Sequence, residues 1–164
     1  MSQQIVIDSL SFARDGRSLQ GELALSELGR LHDVLAEVAG VVAYRIEGRK
    51  SRQGKPQLVL EVTGKVPVVC QRCLGRYDYP LSIDSLLELI ADEADLTQDE
   101  LEDDSRDFLV AQKELDVAAL IEDEIILALP VAPRHDDCAL PDGSSCGTKV
   151  SPFAALAGLK GKAT

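Results

Sequence analysis

The spacing of apolar residues changes twice along the chain. Residues 3–12, QIVIDSLSFA, suggest a short strand or extended arm. LQGELALSEL then reads as an extended piece running into GRLHDVLAEV. There Leu28, Leu31, Val34 and Leu35 fall at i, i+3, i+6 and i+7, which predicts a helix with one apolar stripe. Ser26 is its candidate N-cap, Gly29 weakens it, and Gly40 is its candidate stop. From residue 41 the period becomes two. VVAYRIEG and QLVLEVTGKVPVVC are Val-rich and alternating, and the polar turn RKSRQGKP lies between them. This pattern predicts a β-hairpin with a long basic tip. In YDYPLSIDSLLELI, Tyr77, Tyr79, Leu81, Ile83, Leu87 and Leu89 alternate, with Ser85 as the exception. A helix through Ile83, Leu86, Leu87 and Ile90 also fits, but a strand continuing the meander needs the shorter connection.

Residues 91–107, ADEADLTQDELEDDSRD, hold nine acidic residues and one Arg. Charge at that density repels itself and leaves little to bury, so this stretch is expected to be a mobile acidic loop. FLVA can add a short strand after it. DVAALIEDEIILAL then predicts a helix with Asp116 as N-cap and Pro130 as stop. Its stripe is Val117, Ile121, Ile125 and Ala128, widened by Leu120 and Leu127, with Glu122 and Asp123 outside. Residues 139–164 read as a loop-rich tail with an apolar patch, PFAALAGL, tipped by Lys160 and Lys162. The expected fold is α+β: an antiparallel β-sheet meander with two covering helices, a long acidic loop and a loop-rich C-terminal segment. One domain over 1–164 is the natural division at this length.

Charge changes the picture. The chain of 164 residues carries a net charge of −11, unevenly spread. Residues 1–70 hold 9 Lys/Arg against 8 Asp/Glu, and residues 71–164 hold 8 against 20. Such a balance opposes sequence-independent binding to phosphate backbones and favours basic partners, or serves only solubility. There is no Trp, so the core must rest on Val, Leu, Ile and Ala. The start, MSQQIVIDSL, lacks a basic n-region, and IILALPVAP is too short and proline-broken to span a bilayer. A cytoplasmic protein with no membrane partner is expected, in which the four cysteines are thiols or metal ligands rather than disulfides.

Cys70 and Cys73 form C-x-x-C between two predicted strands, a turn that can set two sulfurs on one side of a hairpin. Gly75 would ease that turn. Cys138 and Cys146 are candidates for the other two ligands of a structural zinc site. Seven residues separate them, more than the usual two to four, and His135 is the alternative fourth ligand. Two unrelated thiol pairs are the plain alternative. A redox dithiol fits poorly, because β-like sequence rather than a helix start follows the pair.

The hairpin tip gathers Arg45, Arg49, Lys50, Arg52 and Lys55 against Glu47. Several cations at one tip can reach phosphates even on an acidic protein, because fields act within a Debye length of about 8–10 Å. A solvated tip is the plain reading, and no aromatic residue there offers a stacking platform for bases. The acidic run at 92–104 could hold a basic protein. It lacks calcium-loop spacing. His32 reads as structural or exposed, and Ser144 and Ser145 have no His–Asp arrangement near them in sequence. No small-molecule substrate is evident, and no enzyme is expected.

Three blocks carry a resemblance: VPVVCQRCLGRYDYPL at 66–81, EDEIILALPVAPRHDDC at 122–138 and SPFAALAGLKGK at 151–162. Together they resemble the YceD family, small bacterial and plastid proteins needed for accumulation of large-subunit ribosomal RNA. The resemblance implies a ribosome biogenesis factor supporting synthesis, processing or stability of 23S RNA. It implies pre-ribosomal large-subunit RNA or a basic ribosomal or processing protein as partner. A zinc-stabilised adaptor that recruits an RNA-processing enzyme is the alternative.

Overall fold

The computed structural model of the chain describes residues 5–103 and 107–138. Its centre is a five-stranded sheet whose neighbouring strands are, in order, Ser18–Ala24, Val41–Lys50, Pro56–Val69, Arg76–Ile90 and Asp107–Val110. β2 (Ser18–Ala24), β3 (Val41–Lys50), β4 (Pro56–Val69) and β5 (Arg76–Ile90) form an antiparallel meander. A separate two-stranded ladder pairs β1 (Val6–Ile7) with β7 (Leu115–Asp116). The fold is α+β. The alternating rows of the long strands supply one apolar face. Val42, Tyr44 and Ile46 of β3, Leu58, Leu60 and Val62 of β4, and Leu81, Ile83, Leu87 and Leu89 of β5 are all buried.

The polar exception in that row has a structural cause. Ser85 meets the long helix α3 (Val117–Ala128), where its hydroxyl donates to Glu124 Oε2 at 2.5 Å. α3 starts where the sequence places it, with the Asp116 carboxylate accepting from the Ala118 and Ala119 N–H groups. It ends at Leu129, before Pro130. Val117, Leu120, Ile121 and Ile125 are buried, whereas Leu127 is 80% exposed and Ala128 is exposed. Glu122 is a correction: expected outside, it is 7% exposed. Its two carboxylate oxygens accept from the Arg30 backbone N–H (2.6 Å) and the Arg30 Nε (2.8 Å).

That contact explains the largest departure from expectation. The helix predicted through Leu28, Leu31, Val34 and Leu35 does not form. Two 3₁₀ turns stand there, Leu25–Glu27 and Gly29–Leu31, and the segment continues through a turn at residues 32–34. Leu28 and Leu31 are buried as the stripe requires, but Val34 is 52% exposed. Gly29 is a poor helix former, Glu122 takes the Arg30 N–H, and the Ala36 N–H donates to Pro67 O. Leu35 forms an antiparallel bridge with Val68, so the segment borrows hydrogen bonds from its neighbours. The second covering helix is instead α1 (Ser9–Arg14), inside the segment read as an extended arm. Asp8 caps it by accepting from the Ser11 N–H, and Gly16 follows its C-cap at φ 62°. Phe12 and Ala13 pack on β3 at Gly48, where a Cβ would collide with the Phe12 carbonyl and the Ala13 Cα.

The acidic stretch holds a 3₁₀ turn, Glu93–Asp95, and a short helix, α2 (Gln98–Leu101), started by a Thr97/Glu100 capping box. It joins β5 to β6 (Asp107–Val110), which runs parallel to β5. Parallel neighbours need a crossover of about a dozen residues or more, and this stretch is that crossover.

Candidate metal centre

The β4–β5 turn, residues 70–75, is closed by the Cys70 N–H donating to Gly75 O and the Leu74 N–H donating to Cys70 O, both at 2.9 Å. Leu74 sits at φ 60°, the left-handed region, with its side chain in solvent. The turn points two backbone N–H groups at sulfur. Arg72 N–H donates to Cys70 Sγ and Gly75 N–H to Cys73 Sγ, each at 3.4 Å. This is the geometry that suits thiolates in a zinc knuckle.

The chain after α3 supplies the other half. Pro130 ends the helix, and the following loop is pinned by Gln71 N–H donating to Pro133 O at 2.8 Å. That bond brings His135 and Cys138 over the turn. Cys70 Sγ lies 3.7 Å from Cys138 Sγ, and Cys73 Sγ lies 3.3 Å from His135 Nε2. The ligand atoms of Cys70, Cys73, His135 and Cys138 all fall within 4.8 Å of one another. Tyr77 stacks edge-on against the His135 ring at 5.1 Å. The Tyr77 hydroxyl is buried with no hydrogen-bond partner among the described residues.

Electrostatics favour a thiolate here. Burial raises the Cys70 thiol, but N–H groups of Cys73, Arg72 and His135 and the Cys73 side chain outweigh it and bring it down to about 6. Burial pushes the Cys138 thiol up, with the neighbouring Cys70 adding to the effect. Burial, then the charge of Cys70, raises the Tyr77 hydroxyl. Of the sequence candidates, Cys70, Cys73, Cys138 and the alternative ligand His135 thus meet, and the set could hold a metal ion. Cys146, Ser144, Ser145, Lys160 and Lys162 lie outside the described residues.

The basic tip is at the other end of β4, whose 14 residues span roughly 45 Å. Its five cations are not equivalent. Arg45 lies within β3 and pairs with Glu47 at 2.9 Å. Lys55 pairs with the buried Glu88 at 2.6 Å and with Glu100 of α2 at 3.5 Å. Arg49, Lys50 and Arg52 are exposed and make no ion pair among the described residues. The sequence could not show that the acidic crossover folds back onto this tip. At the cysteine end, Val34, Leu35, Val68, Val69, Ile126, Leu129, Val131 and Pro133 line a mostly apolar cleft of about 540 Å³, with Asp33 and Gln71 at its wall.

Residues 58–160 match the family described as "Large ribosomal RNA subunit accumulation protein YceD". The chain belongs to the YceD family. A YceD relative from Haemophilus influenzae, named Large ribosomal RNA subunit accumulation protein YceD, is 28% identical over 181 aligned positions. The alignment covers 96% of this chain and 96% of that protein. No solved structure matches the chain. The YceD match contains the entire cysteine–histidine cluster, whereas the tip at 49–55 precedes it. No helix among the described residues is long and apolar enough to cross a membrane.

Proposed function

We propose that this protein supports accumulation of large-subunit (23S) ribosomal RNA in the cytoplasm, as a ribosome biogenesis factor that performs no catalysis itself. The family match over residues 58–160 carries this reading. In it, the cysteine cluster holds a structural zinc ion that fastens the segment after α3 to the β4–β5 turn. The tip cations Arg49, Lys50 and Arg52 meet the phosphates of pre-ribosomal RNA, with Arg45 and Lys55 engaged in ion pairs. A strain lacking the protein is expected to show a lowered ratio of large- to small-subunit RNA, in ordinary growth or under cold stress. An unchanged ratio in both warm and cold growth sinks the proposal.

A protein-binding adaptor is the second reading. It is favoured by the acidic crossover, in which Glu100 already engages one lysine of the chain itself. Absence of any binding of the purified protein to precursor RNA at low salt would make it the better account.

A further inference from the structure

We infer that the zinc ion has a closed four-coordinate shell of Cys70 Sγ, Cys73 Sγ, Cys138 Sγ and His135 Nε2, with imidazole rather than the Cys146 thiolate as fourth ligand. The inference rests on the zinc reading above and adds its ligand set. Zinc–sulfur bonds of about 2.3 Å and zinc–nitrogen bonds of about 2.05 Å at tetrahedral angles give edges of about 3.8 Å (S···S) and 3.6 Å (S···N). The structure holds the Cys70–Cys138 edge at 3.7 Å and the Cys73–His135 edge at 3.3 Å. A disulfide would need an S–S separation near 2.05 Å, and the three described cysteines are free. The group contains no carboxylate, so hard cations such as magnesium and calcium find no oxygen donors in it.

The surroundings support His135 in particular. Tyr77 packs edge-on against its ring, and Gln71 N–H holds the chain two residues before it, at Pro133. Both fix the imidazole against Cys73. The bound form has three thiolates, one neutral imidazole and Zn²⁺, a net charge of −1. N–H donation from Arg72 and Gly75 to two of the sulfurs offsets that charge. Four protein ligands leave no position for water, so the ion joins segments rather than activating a nucleophile. Cys70 and Cys138 are 68 residues apart in sequence, and the ion closes that loop on the folded sheet.

The test uses the full chain purified under reducing conditions without chelator, then loaded with cobalt(II) as a spectroscopic stand-in. The wild type is expected to carry about one zinc per chain. Cys146→Ser should keep that zinc and leave the cobalt spectrum unchanged. His135→Ala should lose zinc to a chelator at least about tenfold faster. His135→Cys should retain the metal, with thiolate-to-cobalt charge-transfer intensity rising by roughly one third, from three sulfurs to four. If Cys146→Ser loses the metal or shifts the spectrum while His135→Ala does neither, the inference is overturned and the zinc reading survives. If the wild type carries no zinc, both fall.

Discussion

Removing the charges of Arg49, Lys50 and Arg52 together tests how this protein meets RNA. The structure narrows five candidate cations to these three, since Arg45 is paired with Glu47 and Lys55 with Glu88 and Glu100. Every phosphate that a removed cation no longer neutralises should flatten the log–log salt slope by about 0.7–0.9, so the triple Gln variant should be shallower by about 2–3 units. Between 50 and 200 mM salt the wild type should therefore weaken by roughly 20–40-fold more than the variant. Equilibrium binding to precursor RNA across that salt range measures it. Lys55→Gln is the control. Its amine is already neutralised, so the slope should barely move, while loss of the Glu88 pair lowers thermal stability. If the triple variant keeps the wild-type slope, or Lys55→Gln alone abolishes it, the RNA does not meet the unpaired tip cations.

The other predictions concern the frame. Gly48→Ala should cost about 3 kcal/mol, or roughly 6–12 °C in Tm, because the new Cβ meets backbone atoms of α1 that no rotamer change can move. An unchanged melting curve would mean that α1 does not lie on β3. Leu74→Gly should stabilise by up to about 1 kcal/mol, relief of the left-handed penalty exceeding glycine's added entropy in the unfolded chain, and denaturant titration would show it. The Ser11 N–H holds the Asp8 carboxyl below its ordinary value of 3.8. Its contribution is therefore complete above that value and lost as pH falls through the lower folded one. The stability gap between wild type and Asp8→Ala should persist at neutral pH and close only below about pH 4; a gap constant down to pH 2 would contradict the cap. Neutralising Asp99 and Glu100 should leave RNA binding unchanged or tighten it. Deleting 92–104 is a poorer test, because it also removes the crossover that β6 needs.

Much of the frame was legible from local pattern. Period-two alternation located β3, β4 and β5, and even the break at Ser85 marked a real polar contact. Asp116 and Pro130 bracketed α3, because capping and proline sterics act within a few residues. The Asp8 cap and the Gly16 beyond α1 are local features too, but the six helical residues Ser9–Arg14 are too few to show a helical period. The C-x-x-C turn was equally local, since its N–H···S bonds close over two residues.

Tertiary structure decided what depends on partners far apart in sequence. The apolar spacing at 28–35 suits a helix, yet Glu122 claims Arg30 from 92 residues away and Pro67 and Val68 claim the chain beyond it. No local propensity encodes such competition. The same holds for the parallel docking of β6, for the return of Glu100 onto Lys55, and for His135 coming to face Cys73 across 62 residues. Sequence alone determined which residues could form strands, caps and ligands, because those preferences are set by covalent geometry and nearest neighbours. Only the folded sheet decided which of them meet, because loop closure over tens of residues is favourable only once the whole core has been buried.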